Sequence, residues 1–235
     1  MQEKFIAPGK TAVLGNGSIS GVDAKRFRPN PRKRESIRAK FDISASTLLV
    51  IFLGRLNPEK GVLDLAGAVA AADPGHKIEL MCVGPDEGKM SARVRAVVEE
   101  SGRRVHFVGA TDSPEDYLAA SDLLCLPSYR EGFGTSVIEA AAVGVPAIVS
   151  YIYGLSDSVI DGHTGLCFPV KDVDALTAAL NNMAGSPALR KRLGDEARAR
   201  AIAKFSSKFL TSELLRYVEA QLNQRASHDP SRGAN

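Results

Sequence analysis

The sequence predicts a doubly wound α/β domain with a helical C-terminal extension, and three observations carry that prediction. Short apolar runs rich in β-branched residues recur along the chain, and helical patterns separate them. The runs are apolar almost throughout rather than alternating, which fits parallel strands covered by helices on both faces. After Val170 the strand-like runs stop and only helical patterns follow.

Taken in order, Thr11–Leu14 reads as a first strand, followed by a glycine-rich connector and a helix over Pro31–Lys40. Leu48–Leu53 is the second strand and Gly61–Ala71 its following helix. Lys77–Val83 and Lys89–Glu100 repeat the pair, as do Val105–Val108 and Pro114–Ala120. Leu123–Pro127, the helix Thr135–Val143 and Ala147–Ser150 close the sheet-forming part. Asp172–Met183, Pro187–Ala203 and Lys208–Asn223 read as the extension, which begins at about residue 172. Residues 1–222 make one domain, and residues 223–235 are a polar tail with little to bury.

Two tempting motifs are set aside. Gly15-Asn16-Gly17-Ser18-Ile19-Ser20-Gly21 resembles a dinucleotide fingerprint, but its spacing is one residue too long. No amphipathic helix follows it directly, so no helix N-terminus faces a pyrophosphate. Asp172-Val173-Asp174 resembles a D-x-D metal signature, yet it opens an amphipathic helix, where Asp is the expected cap. No metal site is expected there.

Composition narrows the function classes. With 44% hydrophobic and 24% charged residues, the 235-residue chain can bury a sizeable core. No run approaches the roughly 18–20 apolar residues of a membrane span, and residues 1–10 do not resemble a signal peptide. Cys82, Cys125 and Cys167 sit far apart in apolar runs, which reads as buried reduced thiols and a cytosolic setting. The formal charge is +3, unevenly spread: Lys25–Lys40 holds eight Lys or Arg against one acid, and Arg190–Lys204 six against two. These are solvated helix faces, or cations facing an anionic membrane or a phosphate-bearing substrate. Few aromatics accompany them, so nucleic acid is not the expected partner.

Ligands of parallel sheets collect at the carboxyl ends of the strands, and two ends are rich here. In Gly54-Arg55-Leu56-Asn57-Pro58-Glu59-Lys60-Gly61, Gly54 omits a side chain while Arg55 and Lys60 supply two cations suited to a diphosphate. In Arg130–Glu139, Gly132 and Gly134 let the backbone approach a ligand, and the amides of Gly134, Thr135 and Ser136 open a helix able to bind an anion. Glu139 is the only charged residue between Gly132 and Ser156. Its carboxylate needs a partner in so apolar a run, either a structural cation or a ligand's hydroxyls. Glu131 lies on the loop, free to meet a group beyond the phosphates or paired with Arg130.

Together these segments resemble the donor-binding half of a GT-B glycosyltransferase. Gly54-Arg55-Leu56, Lys60-Gly61, Glu131-Gly132-Phe133-Gly134 and Glu139-Ala140 are similar to the retaining group 1 (family 4) enzymes, marked by two glutamates with seven residues between them. Asn16-Gly17, Gly21-Val22-Asp23, Phe27 and Gly162, Thr164, Gly165, Leu166, Pro169 add to the resemblance. Tyr153-Gly154-Leu155-Ser156-Asp157 resembles a variant found in bacterial capsule and O-antigen transferases.

The resemblance implies a Rossmann-like half of the GT-B fold that binds a nucleotide sugar, a UDP-sugar by expectation, without a metal or other cofactor. It implies that Arg55 and Lys60 neutralise the diphosphate and its developing charge, and that Glu139 binds ribose. Glu131 would contact the transferred sugar, and the backbone around Val108 and Gly109 would receive the base. Gly54, Gly132, Phe133, Gly134, Thr135 and Ser136 complete the expected binding set, and Glu131, Arg55 and Lys60 the expected catalytic set. Such enzymes carry an N-terminal acceptor domain that usually brings a catalytic histidine. None of His76, His106, His163 and His228 is assigned that role here. The expectation is a chain that binds donor far better than it transfers sugar, in bacterial polysaccharide synthesis at the inner membrane face with a lipid-linked acceptor. A stand-alone nucleotide-sugar-binding module is the alternative, and a GT-B epimerase or phosphorylase is less favoured.

Overall fold

The computed structural model describes residue 13, residues 17–18 and residues 20–227, with side chains to 223. Six strands form one parallel sheet: β1 (Leu48–Leu53), β2 (Ile78–Val83), β3 (Val105–Gly109), β4 (Leu123–Leu126), β5 (Ala147–Ser150) and β6 (Gly165–Phe168). Their order is β3-β2-β1-β4-β5-β6. β1, β2, β4 and β5 are buried on both faces apart from Leu53, as their unbroken apolar sequences require.

The intervening helices are α1 (Pro31–Lys40), α2 (Val62–Ala71), α3 (Met90–Glu100), α4 (Pro114–Ala120) and α5 (Thr135–Val143). The extension holds α6 (Val173–Gly185), α7 (Pro187–Phe205) and α8 (Ser207–Ser227). Helix α2 packs against α3 and α6, while α1, α4, α5 and α7 pack in series. These two layers cover the sheet, and one core cluster runs through it. Local chemistry starts several helices: Asn30, Asp172 and Ser186 accept from amides three residues on, each followed at once or shortly by proline or a first-turn acid.

Against the sequence reading, one strand is new, one expected strand falls outside the described residues, and one expected cap is present. β6 was not anticipated: Gly165–Phe168 is only four residues long, and its two central side chains are half-exposed. It nevertheless pairs with β5 over its whole length, Ala147 opposite Gly165 through Ser150 opposite Phe168. The expected strand Thr11–Leu14, except Val13, lies outside the described residues, as do Gly15, Asn16, Ile19 and most of the tail. Asp172 is a helix cap, accepting from Ala175 N at 2.8 Å.

Over Lys25–Lys40, four of the eight cations have partners in the fold, while Lys25, Arg28, Arg32 and Lys40 remain on the exposed surface. Arg26 pairs with Glu115, Lys33 with Asp116, and Arg34 with Asp122. Arg38 is buried and reaches Asp122, the carbonyls of Ala120 and Ser44, and that of Thr47. In the second basic stretch, Lys191 and Arg192 pair along the helix and Arg200 binds the carbonyls of Asp157 and Ser158. No helix among the described residues is long and apolar enough to cross a membrane.

Candidate donor-binding site

The chain leaves β1 towards β2 and leaves β4 towards β5, so neighbouring strands diverge and open a cleft at their carboxyl ends. Such a switch point is where doubly wound sheets bind ligands. Both chemistry-bearing loops belong to these two strands: Gly54–Gly61 follows β1, and Pro127–Gly134 follows β4. The sequence thus delivers its two richest segments to one place.

Backbone contacts stitch the loops together. A single 3-10 turn, Pro58–Lys60, ends at Gly61, whose φ of 65° suits glycine. A Cβ there would stand 2.1 Å from the Pro127 carbonyl oxygen. Tyr129 N donates to Glu59 O at 2.8 Å, and Tyr129 Oη donates to Asp64 at 2.9 Å. On the other side, a Cβ on Gly154 would lie 2.6 Å from Glu131 O, and one on Gly134 would lie 2.7 Å from the Leu155 side chain.

Across this cleft Lys60 Nζ meets Glu131 Oε1 at 2.5 Å. Ser128, fully buried, donates to the same oxygen at 3.0 Å, and its own carbonyl accepts from Ser150 Oγ. Glu131 is therefore held by Lys60 and not by Arg130. Neither loop cation is free: Arg55, well exposed, pairs with Glu87 Oε1 at 3.2 Å, while Asn57 donates to Glu87 Oε2 at 2.9 Å. Asn57, Glu87 and Ser128 were missed in the sequence. Only Ser128 left a signal, as a small polar residue at the end of an apolar strand.

Helix α5 begins at Gly134 with no side-chain cap. Thr135 N is spent on Phe133 O at 2.8 Å, so of the three amides expected to hold an anion, those of Gly134 and Ser136 have no acceptor among the described residues. Gly132 is exposed, with open space where a side chain would be. Phe133 packs against Phe205, ring centroids 5.6 Å apart, so its ring serves the docking of α7. Val108 and Gly109 end β3 on the same edge of the sheet. They lie two strands from β1, roughly 10 Å at ordinary strand spacing, and Gly84 N ties that end in by donating to Gly109 O.

Glu139 is half-buried one turn inside α5, with no ion-pair partner within 4 Å among the described residues. Burial pushes its carboxyl up to about 7; nearby Arg26 opposes that shift and Glu115 adds to it. Arg26 already serves Glu115 at 2.8 Å, so it cannot fully answer Glu139. A structural salt bridge, the plain alternative for this residue, is absent among the described residues.

Several concavities among the described residues open at the opposite, amino edge of the sheet. The one of about 650 Å³ holds Arg103 and Arg104, but both guanidiniums are bound to backbone carbonyls. They close the ends of helices and loops. His106, nearby, pairs with Glu79 at 2.7 Å, and exposed His163 lies 3.6 Å from Glu196.

A doubly wound domain whose loop cations and a helix N-terminus meet at the switch point has the features of a class that can hold an anionic ligand. Within it, the chain belongs to the family described as glycosyl transferases group 1, whose model matches residues 33–200. It is 33% identical over 222 residues to the D-inositol 3-phosphate glycosyltransferase of Rhodococcus opacus (strain B4), covering 90% of this chain and 49% of the relative. Among solved structures, the sucrose-phosphate synthase of Thermosynechococcus elongatus matches with TM-score 0.74 and 31% identity, over 86% of this chain and 52% of that one. HepE of Anabaena, solved in complex with UDP and glucose, shares the fold at TM-score 0.78 and 21% identity, over 85% and 55%. The fold is one half of GT-B, and the chain spans about half the length of the relatives it matches.

Proposed function

We propose that this chain is the donor-binding half of a retaining, metal-independent glycosyltransferase that uses a UDP-sugar. The single observation that carries the reading is Glu139, a half-buried carboxylate with no ion-pair partner among the described residues, one turn inside a helix that opens on the switch-point cleft. A ribose diol donating two hydrogen bonds would satisfy it. UDP in the related HepE fold supports the choice of nucleotide.

The remaining groups take roles by position. The amides of Gly134 and Ser136 meet the diphosphate at the helix N-terminus. Lys60 has three N–H donors, so it can keep Glu131 and still reach a phosphate oxygen. Arg55, exposed and weakly held by Glu87, can turn to the same phosphates. As the bond from the sugar's anomeric carbon to the phosphate oxygen breaks, UDP leaves with the bonding pair, and these cations stabilise it. Glu131, fixed by Lys60 and Ser128, presents its charge to the oxocarbenium-like sugar. The acceptor hydroxyl oxygen then bonds to the anomeric carbon on the face UDP left, and its proton passes to the departing diphosphate oxygen. The backbone of Val108 and Gly109 receives the base.

The acceptor would bind to the part of the relatives outside the matched span. Exposed Leu214, Leu215, Val218 and Leu222 of α8 offer that part an apolar face. Residues 153–157 favour an acceptor of bacterial cell-surface polysaccharide made at the membrane. The Rhodococcus relative's name favours a small phosphorylated acceptor instead, and transfer assays with both kinds would separate them.

Calorimetry with UDP-, GDP- and ADP-sugars tests the donor reading. One nucleotide is expected to bind selectively. Arg55→Ala and Lys60→Ala should each weaken it about tenfold, as loss of a charged hydrogen bond does. Equal binding of all three nucleotides would contradict the assignment. The chain alone is expected to transfer little or no sugar, and efficient transfer would refute the half-enzyme reading.

A further inference from the structure

We propose that Tyr153, with Tyr151 beside it, forms an aromatic wall against which the donor's transferred sugar ring packs. This rests on the donor-site reading above and extends it to a sugar subsite.

The two tyrosines are 84% and 69% exposed, on the loop that follows β5 at the carboxyl edge of the sheet. Single exposed apolar residues need no explanation, but two large rings around Ile152 in one loop at the mouth of a ligand cleft do. The aromatics of the neighbouring Pro127–Gly134 loop are engaged: Tyr129 bonds Asp64 and lies under Lys171, and Phe133 packs on Phe205.

The loop is fixed in place. Tyr151 N donates to Phe168 O at 2.7 Å. Gly154, with φ 89°, sits so close to the Glu131 and Gly132 carbonyls that a Cβ would lie 2.6 and 2.8 Å from them. Leu155 is fully buried and presses on Gly134. Tyr153 is thus the immediate neighbour of a residue in backbone contact with the Glu131 loop.

Position along the sheet edge names the occupant. The base is assigned to the end of β3 and the diphosphate to the cleft of β1 and β4. β5 lies beyond β4, where the group past the phosphates would extend. Residues 151–156 carry no charged side chain, so the loop suits a neutral ring rather than another anion. The face of a phenol ring is electron-rich, and the C–H bonds on one face of a pyranose are polarised to meet it. The phenol hydroxyls can meet the sugar's hydroxyls.

The chain contains no tryptophan and five tyrosines, so its intrinsic emission reports on tyrosine alone. UDP, UDP-glucose, UDP-galactose and UDP-N-acetylglucosamine are titrated into the full chain by emission and by calorimetry. With Tyr153→Ala, affinity for the preferred UDP-sugar should fall about fivefold, the size of one aromatic packing contact, while UDP affinity stays within about twofold. Tyr153→Phe should retain most of the affinity, and Tyr151→Ala should show a smaller loss of the same kind. Unchanged UDP-sugar affinity in Tyr153→Ala would overturn the proposal, as would an equal loss for UDP and UDP-sugar, which marks a role in shaping the loop. Failure of the unsubstituted chain to bind UDP would instead sink the donor-site reading itself.

Discussion

Glu139 couples stability and function in opposite directions. Its carboxyl titrates at about 7 in the fold against an ordinary 4.5. Between those values the folded chain keeps a proton that the unfolded chain has lost, so stability falls as pH rises through the window. Above pH 7 the destabilisation is fully present. Discounted for partial solvent screening, it amounts to roughly 1–2 kcal/mol. Glu139→Gln should therefore raise the stability of the free chain by about that much at pH 8 and hardly change it at pH 4, as read by denaturant unfolding. A loss of stability at pH 8 would mean that the carboxylate has a structural partner. Donor affinity should move the other way, rising from pH 5.5 to pH 8 as Glu139 ionises. A UDP-sugar is the proper probe, because its diphosphate charge is constant over that range. The importance of Glu139 was legible in the sequence because a lone charge in an apolar run is conspicuous. That no cation pairs with it among the described residues was not, since Arg26, the nearby cation, comes from more than a hundred residues away.

Helices and loops explain why the cationic stretches are misleading when read linearly. On α1, Arg38 is buried and binds Asp122 together with three backbone carbonyls. Asp122 in turn accepts from Leu49 N at 2.8 Å and so fixes the entry to β1. Arg38→Leu should cost about 3 kcal/mol, because it leaves the half-buried Asp122 carboxylate and several carbonyls short of a donor. Binding to anionic vesicles should be unchanged. A stable Arg38→Leu chain with weakened vesicle binding would return this helix to the membrane. The Gly54–Gly61 loop tells a similar story. Gly61→Ala would force both a left-handed backbone and a contact with Pro127 O, and about 2 kcal/mol of stability should be lost. Calorimetry should show weaker donor binding as well, since the same turn carries Lys60.

At the scale of the whole molecule, the fold was legible because burial on both faces of a parallel sheet writes itself as unbroken apolar strands. Pro31–Lys40, Leu48–Leu53, Pro114–Ala120, Thr135–Val143 and Ala147–Ser150 emerge with the predicted bounds. The other described elements that were predicted lie within a residue or two, except the last helix, which runs on to Ser227 where Asn223 was expected. β6 escaped because an edge strand of four residues with half-exposed central side chains leaves only a faint pattern. The site was legible as two segments, Arg55–Lys60 and Glu131–Glu139, but not as a network. The pairs Lys60–Glu131 and Arg55–Glu87 join loops after different strands, and only the strand order β2-β1-β4 brings them together. That order is also what makes the switch-point cleft the centre of the account. Calorimetric titration of a UDP-sugar into the unsubstituted chain, Glu139→Gln and Glu139→Ala tests it most directly. Binding at pH 8 should be selective and should weaken by about 10- to 100-fold in both variants, although Glu139→Gln folds at least as stably. Undiminished affinity in two well-folded variants would contradict it.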